Sequence, residues 1–238
     1  MPNHVKNRIV IDGAIDEIET IFQKFNTHIP AKLYVTEDDK LVICKGPGDY
    51  NYGWFDPKTG IFTQREKEPV LGLPDGFEFE IKQAIDHFPD FNKAIPQPDN
   101  IFNGNLGQKE EEMCKAEGRP TWNTWNRENW GTKWNSYSCE KEAFNSFTFE
   151  TAWNAVPKII EEISKQFPSV QFYYEFSDED TGYNCGYGTF KGGNGEITRP
   201  EGGSIEAYEL AFKLRPERAL NYKLVEGKTK YQYVDEEE

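Results

Sequence analysis

A chain of 238 residues in which 15% of side chains are aromatic can bury a substantial core, which excludes disorder as its main state although 29% of its residues are charged. Its 27 lysines and arginines stand against 41 aspartates and glutamates, a formal charge of -14, so binding a phosphate backbone by bulk attraction is disfavoured, while a local basic pocket stays open. The start of the chain runs straight into a strand pattern without a long apolar segment, and no later window nears about eighteen apolar residues, which points to a cytoplasmic protein, neither exported by a standard signal nor membrane-spanning.

In chain order, Val5, Asn7, Ile9 and Ile11 alternate with Lys6, Arg8 and Asp12, which predicts a half-buried strand. Ile15, Ile18, Phe22 and Phe25 then recur at helical spacing, with Asp16 and Glu17 in the first turn where the helix dipole favours acids. From about Lys32 to Glu68 two pairs of β-rich runs read as hairpins, one turning at an acidic stretch and one at Asp56-Pro57-Lys58-Thr59-Gly60. "FEFEIKQAIDHF" is ambiguous and is assigned to helix, and "DFNKAIPQPDNIFNGNLG" to a strand fragment broken by Pro96 and Pro98 ahead of a polar loop. "QKEEEMCKAEG" follows as a solvated helix or loop.

In the second half, Phe147 and Phe149 alternate with Thr148 and Glu150 as a strand. Val156, Ile159, Ile160, Ile163 and Phe167 then share a helix face between Pro157 and Pro168. Val170, Phe172, Tyr174 and Phe176 make the next strand, followed by a glycine-rich loop. Ser204 caps a helix carrying Ile205, Tyr208 and Phe212, and the tail resembles a hairpin closed at Glu226-Gly227. Strand, helix, strand, twice over, suits a split β-α-β pair: an α+β fold with an antiparallel sheet covered on one face by two helices. The expected organisation is one elaborated domain over residues 1–238, with a hairpin-rich insertion at about 32–88 and a C-terminal extension at about 200–238.

The opening "MPNHVKNRIVIDG", the central "FNKAIPQP", the block "ENWGTKWN" and the run "FTFETAWNAVPKIIEEISKQFP" before an aromatic strand together resemble the YubB-type ferredoxin-like domain proteins of plasmids, phages and related mobile elements. The resemblance implies a ferredoxin-like fold and an origin in a mobile element or virus, and no reaction. The insertion and the extended C-terminus depart from the usual pattern of that family.

Cys44, Cys114, Cys139 and Cys185 are scattered without a C-x-x-C or a nearby histidine pair, so free thiols are expected and a structural zinc site is not. Asp178, Glu179 and Asp180 lack calcium-loop spacing. His4, His28 and His87 sit in no local catalytic motif, so neither catalytic residues nor a cofactor or metal are expected. Trp130 and Trp134 flank Gly131, where the backbone should leave helical geometry. Exposed, such rings stack on a base with Lys133 beside them for a phosphate; buried, they lock the fold, and the buried reading is favoured for Trp130. Trp122, Trp125 and Arg127 lie in a stretch too polar to fill a core, which suits either a recognition surface or a tryptophan-anchored loop. Tyr183, Tyr187 and Lys191 lie among six glycines that permit close approach to an anion, or that form a hairpin tip with no ligand; neither a P-loop nor a dinucleotide fingerprint is present.

These residues lead to a non-enzymatic phage or mobile-element accessory protein that binds and withholds a nucleotide-like small molecule such as a host immune signal. Stacking falls to Trp122, Trp125, Tyr183 and Tyr187, and phosphate contact to Arg127, Lys133 and Lys191. The alternative is an acidic mimic of nucleic acid that occupies a host defence protein.

Overall fold

Apolar residues at period two and at period 3.6 mark out the framework. A computed structural model of the chain describes residues 3–27, 31–35, 41–44, 50–56, 61–64, 77–79, 87–225 and 231–234. In chain order the elements are β1 (His4–Asp12), α1 (Ile15–Phe25), β2 (Ala31–Val35), β3 (Leu41–Cys44), β4 (Tyr50–Asp56), β5 (Ile61–Gln64), β6 (Phe77–Phe79), α2 (Phe91–Ala94), α3 (Gln108–Glu117), α4 (Trp122–Asn129) and β7 (Tyr137–Ala143). There follow β8 (Ser146–Ala152), α5 (Pro157–Gln166), β9 (Gln171–Asp178), β10 (Cys185–Lys191), β11 (Asn194–Thr198), α6 (Ile205–Leu214), a 3-10 helix over Pro216–Asn221, β12 (Tyr222–Leu224) and β13 (Tyr231–Tyr233). The chain forms two compact units, Thr27–Asp86 and the remainder, Met1–Asn26 with His87–Glu238.

The smaller unit holds a five-stranded antiparallel sheet in the order β5-β4-β3-β2-β6. Leu33 pairs with Ile43 and Phe55 with Phe62, so both expected hairpins exist as paired strands, while their turns lie outside the described residues. Phe77–Phe79 is strand rather than helix and pairs with Ala31–Leu33. Alternation of Phe77 and Phe79 with Glu78 carries a period-two signal over so short a run.

In the larger unit the sheet order is β11-β10-β9-β1-β8-β7. Four of its strands, β9-β1-β8-β7, lie side by side as the fourth, first, third and second of that set in chain order, each antiparallel to its neighbour. With α1 after the first and α5 after the third, this is the ferredoxin-like arrangement, and the β10–β11 hairpin extends it beyond β9. Val5, Asn7, Ile9 and Ile11 point to one face with Phe147, Phe149, Phe172, Tyr174 and Phe176, all buried. Phe22 of α1 stacks on Phe147 at 5.5 Å and Phe25 meets Phe167 edge-on at 6.3 Å. Each fully buried aromatic or branched side chain here is worth roughly 1.5–3 kcal/mol. Ile15 departs from its expected place: as the first helical residue it is 65% exposed, and Ile18, Ile21 and Phe25 form the buried seam.

Asn7 is a buried polar residue on this face. Asn7 donates to Thr151 Oγ1 (2.9 Å) and to the Val5 carbonyl (2.9 Å), while the Tyr174 hydroxyl donates to Asn7 Oδ1 (2.5 Å) and accepts from the Val156 amide (2.9 Å). Burial pushes the Tyr174 phenol far above the usual tyrosine range; burial, then Glu150 and Glu179, does the same to Tyr137. Both native pKa values lie above the unfolded one, so their contribution is full below about pH 10 and is lost as pH rises beyond it. Urea midpoints should fall steadily above about pH 10. A midpoint unchanged across that range would contradict the assignment.

On the opposite face α6 crosses β10, β9 and β1. Cys185 packs with Ala207, Leu210 and Leu214, Lys213 pairs with Glu175, and Tyr187 donates to Glu206 Oε1 (3.0 Å). Tyr208 and Phe212 then meet Tyr222 and Tyr231 of the C-terminal strands at centroid distances of 5.1 to 5.6 Å.

Candidate functional site

The segment between the two units' boundary at His87 and β7 builds a groove on the ferredoxin-like unit. Asp90 caps α2 by accepting from the Asn92 amide (2.9 Å), which makes residues 91–94 a short helix rather than the expected strand fragment; Pro96 and Pro98 follow its end. Phe91 turns into the core against Phe149 (6.1 Å) and Trp130 (5.8 Å), both edge-on. α3, expected as a solvated helix or loop, is a mostly exposed helix that ends at Gly118, and Phe102 ahead of it bridges in parallel to Thr121 beyond it. Thr121 caps α4, its hydroxyl accepting from the Thr124 amide (3.3 Å).

α4 places Trp122 and Asn126 four apart on one face. Trp130, at the helix end, is buried, donates its indole N–H to the Ile95 carbonyl (2.9 Å) and takes Trp125 edge-on at 5.7 Å. Gly131, at φ 83°, leaves helical geometry as its residue type requires, and Thr132 donates to the Ala152 carbonyl at the end of β8 (2.7 Å). That turn lifts Lys133 and Trp134 away from the core, so Trp134 is 38% exposed where Trp130 is 3%.

The result is an open groove of about 360 Å³ lined by Gln97, Asn103, Trp122, Asn126, Trp134 and Asn135. The Lys133 ammonium stands 4.9 Å from the Trp134 ring centre and 5.8 Å from that of Trp122, a cation over two indoles. Two of the amides hold the walls. Asn135 accepts from the Phe91 (2.8 Å) and Ser136 (2.9 Å) amides and donates to Asp90 (2.8 Å). Asn126 donates to the Lys133 carbonyl (3.0 Å) and accepts from Gln97 Nε2 (2.6 Å). Because Asn126 is buried, Asn126→Ala leaves those partners unsatisfied and should cost about 1–3 kcal/mol in urea unfolding; a change below about 0.5 kcal/mol would show that the wall does not depend on it. Beyond Trp134, Tyr137 meets it edge-on at 6.4 Å and shares a hydrogen bond with His4 Nδ1 (2.7 Å).

Of the residues singled out in the sequence, Trp122, Lys133 and Trp134 come together in this groove. Trp125 lies half-buried against Trp130, and Arg127 is exposed on α4 with its Nε on Asn123 Oδ1 (3.2 Å). Tyr183, Tyr187 and Lys191 are elsewhere, for a structural reason. The expected glycine-rich loop is largely the β10–β11 hairpin, with Gly192 and Gly193 at its turn. A Cβ on Gly188 would lie 2.1 Å from the Glu196 carbonyl oxygen, so that glycine serves strand packing. Tyr187 lies on β10, three strands and about 14 Å from β8, against α6. Tyr183 lies over Gly202, and Lys191 ends β10. Among the described residues no hydrogen bond, ion pair or ring contact joins these three to the groove.

Among the described residues no group of three or more His, Cys, Asp or Glu is placed to hold a metal ion, and no helix is long and apolar enough to cross a membrane. Cys114 and Cys185 are free thiols.

The architecture defines a ferredoxin-like α+β protein with a groove built by residues 97–135, ahead of β7. A family model described as the ferredoxin-like domain in Api92-like protein matches residues 133–214, from Lys133 through α6. A crystal structure of the protein api92 from Yersinia pseudotuberculosis is similar at 12% identity and a TM-score of 0.46, covering 84% of this chain and 99% of that one. No curated protein matches the chain.

Proposed function

We propose that this chain is a non-enzymatic accessory protein of a phage or other mobile element, of the YubB type, which binds and withholds a nucleotide-like small molecule such as a host immune signal in the host cytoplasm. The observation that carries the reading is the groove's lining: two indoles and four amides with no carboxylate, in a chain of 41 acids, with Lys133 above both rings. Indole faces stack on a planar base at about 1–3 kcal/mol per base, amides read its edge, and one ammonium meets a phosphate without any need for a basic surface. A cavity of about 360 Å³ is of a size for one nucleoside unit.

The alternative, an acidic surface that imitates nucleic acid toward a defence protein, has less support. On the α6 side of the sheet, Glu142 and Glu175 are paired with Arg8 (3.0 and 3.8 Å) and Glu175 also with Lys213, so these two carboxylates do not form an unpaired acidic array.

Native mass spectrometry of protein recovered from cells with an active nucleotide-signalled defence tests the proposal. The expected result is a bound nucleotide mass released on denaturation. Recovery of the bare chain, together with no thermal shift across a nucleotide panel, contradicts it.

A further inference from the structure

The hydrogen bonds inside the groove fix which chemical edge a ligand must present. The Lys133 carbonyl can only accept, so the Asn126 amide must aim its Nδ2 there and its Oδ1 at Gln97. Gln97 must in turn offer Nε2 to Asn126. Its Oε1 is left as an acceptor on the groove wall, with an orientation set by the network rather than free to flip. The Trp122 indole N–H is engaged by the Gly104 carbonyl (3.1 Å), and Trp122 therefore contributes its face. The remaining groups, the Trp134 N–H and the Asn103 amide, have no hydrogen-bond partner among the described residues.

We infer that the groove selects a nucleobase bearing an exocyclic amino group, an adenine-type ring, over the oxo-bearing ring of the same shape, with Gln97 Oε1 accepting from the amine. This inference rests on the nucleotide reading of the groove and specifies the ligand class. Against an amino group Oε1 gains a hydrogen bond; against a ring carbonyl two acceptors face each other with no proton between them, and that hydrogen bond is lost.

Adenosine and inosine monophosphates differ at that one ring position, and titrating each while following tryptophan fluorescence tests the inference. The adenine compound should bind about tenfold or more tighter. Gln97→Leu removes the acceptor and should bring the adenine compound down to the inosine affinity. Gln97→Lys keeps a donor for Asn126, presents no acceptor, and should reverse the preference. Both variants are checked for an intact unfolding transition, and the wild-type ratio needs no variant at all. Equal binding of the two compounds by wild type, or a preference that survives Gln97→Leu, overturns the inference and leaves the nucleotide reading standing. Binding of neither compound overturns the inference, and no thermal shift across the wider nucleotide panel then removes the nucleotide reading as well.

Discussion

Phe149→Ala should lower the unfolding free energy by about 3–5 kcal/mol, the cost of a large cavity in a closed core. Phe149 is 0% exposed, pairs across β1 with Asn7, and meets Phe91 edge-on. Phe91 in turn supports Trp130 through its ring and Asn135 through its backbone amide. The same substitution therefore loosens the wall of a groove whose lining residues it never touches. Urea unfolding should show the stability loss, and ligand affinity should fall with it even under conditions where the variant stays folded. A loss below about 1 kcal/mol would mean that the sheet tolerates the cavity and that the groove stands independently of it.

Trp134→Ala carries the largest expected effect on binding. Removing one stacked indole costs about 1–3 kcal/mol, or about five- to more than a hundredfold in affinity for a nucleotide. Trp122→Ala should match it, because the two rings share one ammonium and one cavity. Trp134 is 38% exposed, so its truncation should leave stability within about 1 kcal/mol and separate binding from folding. Tyr187→Phe serves as the contrast: it removes a hydrogen bond to Glu206 on the far side of the sheet and should leave affinity unchanged. If Trp134→Ala binds as tightly as wild type, the groove is not the site.

The central strands and both framework helices were open to reading because burial imposes a period there. Asn7 obeys the alternation of β1 although it is polar, since it faces the core and finds Tyr174 and Thr151. β7 gives no such signal: "YSCEKEA" is an edge strand, mostly exposed, and takes its form from pairing with β8. α2 is only four residues long, with a cap residue and no apolar period. The site divides the same way. Trp122 and Lys133 stand out as an aromatic and a cation in a polar stretch, and the break at Gly131 announces that Trp130 and Trp134 part company. Gln97, Asn103, Asn126 and Asn135 carry no comparable mark, because asparagine and glutamine are ordinary loop residues until the fold aligns them. The glycines around Tyr183 and Tyr187 read as loop in the sequence because Gly186, Gly188 and Gly195 carry no side chain to show the strand period, and the fold sets both tyrosines apart from the groove.

The most direct measurement follows the indole N–H resonances of the six tryptophans during titration with adenosine monophosphate. The groove account requires saturable shifts at Trp122 and Trp134, with buried Trp130 little changed. Shifts absent from both, or centred on Trp153 while Trp122 and Trp134 stay fixed, would contradict it.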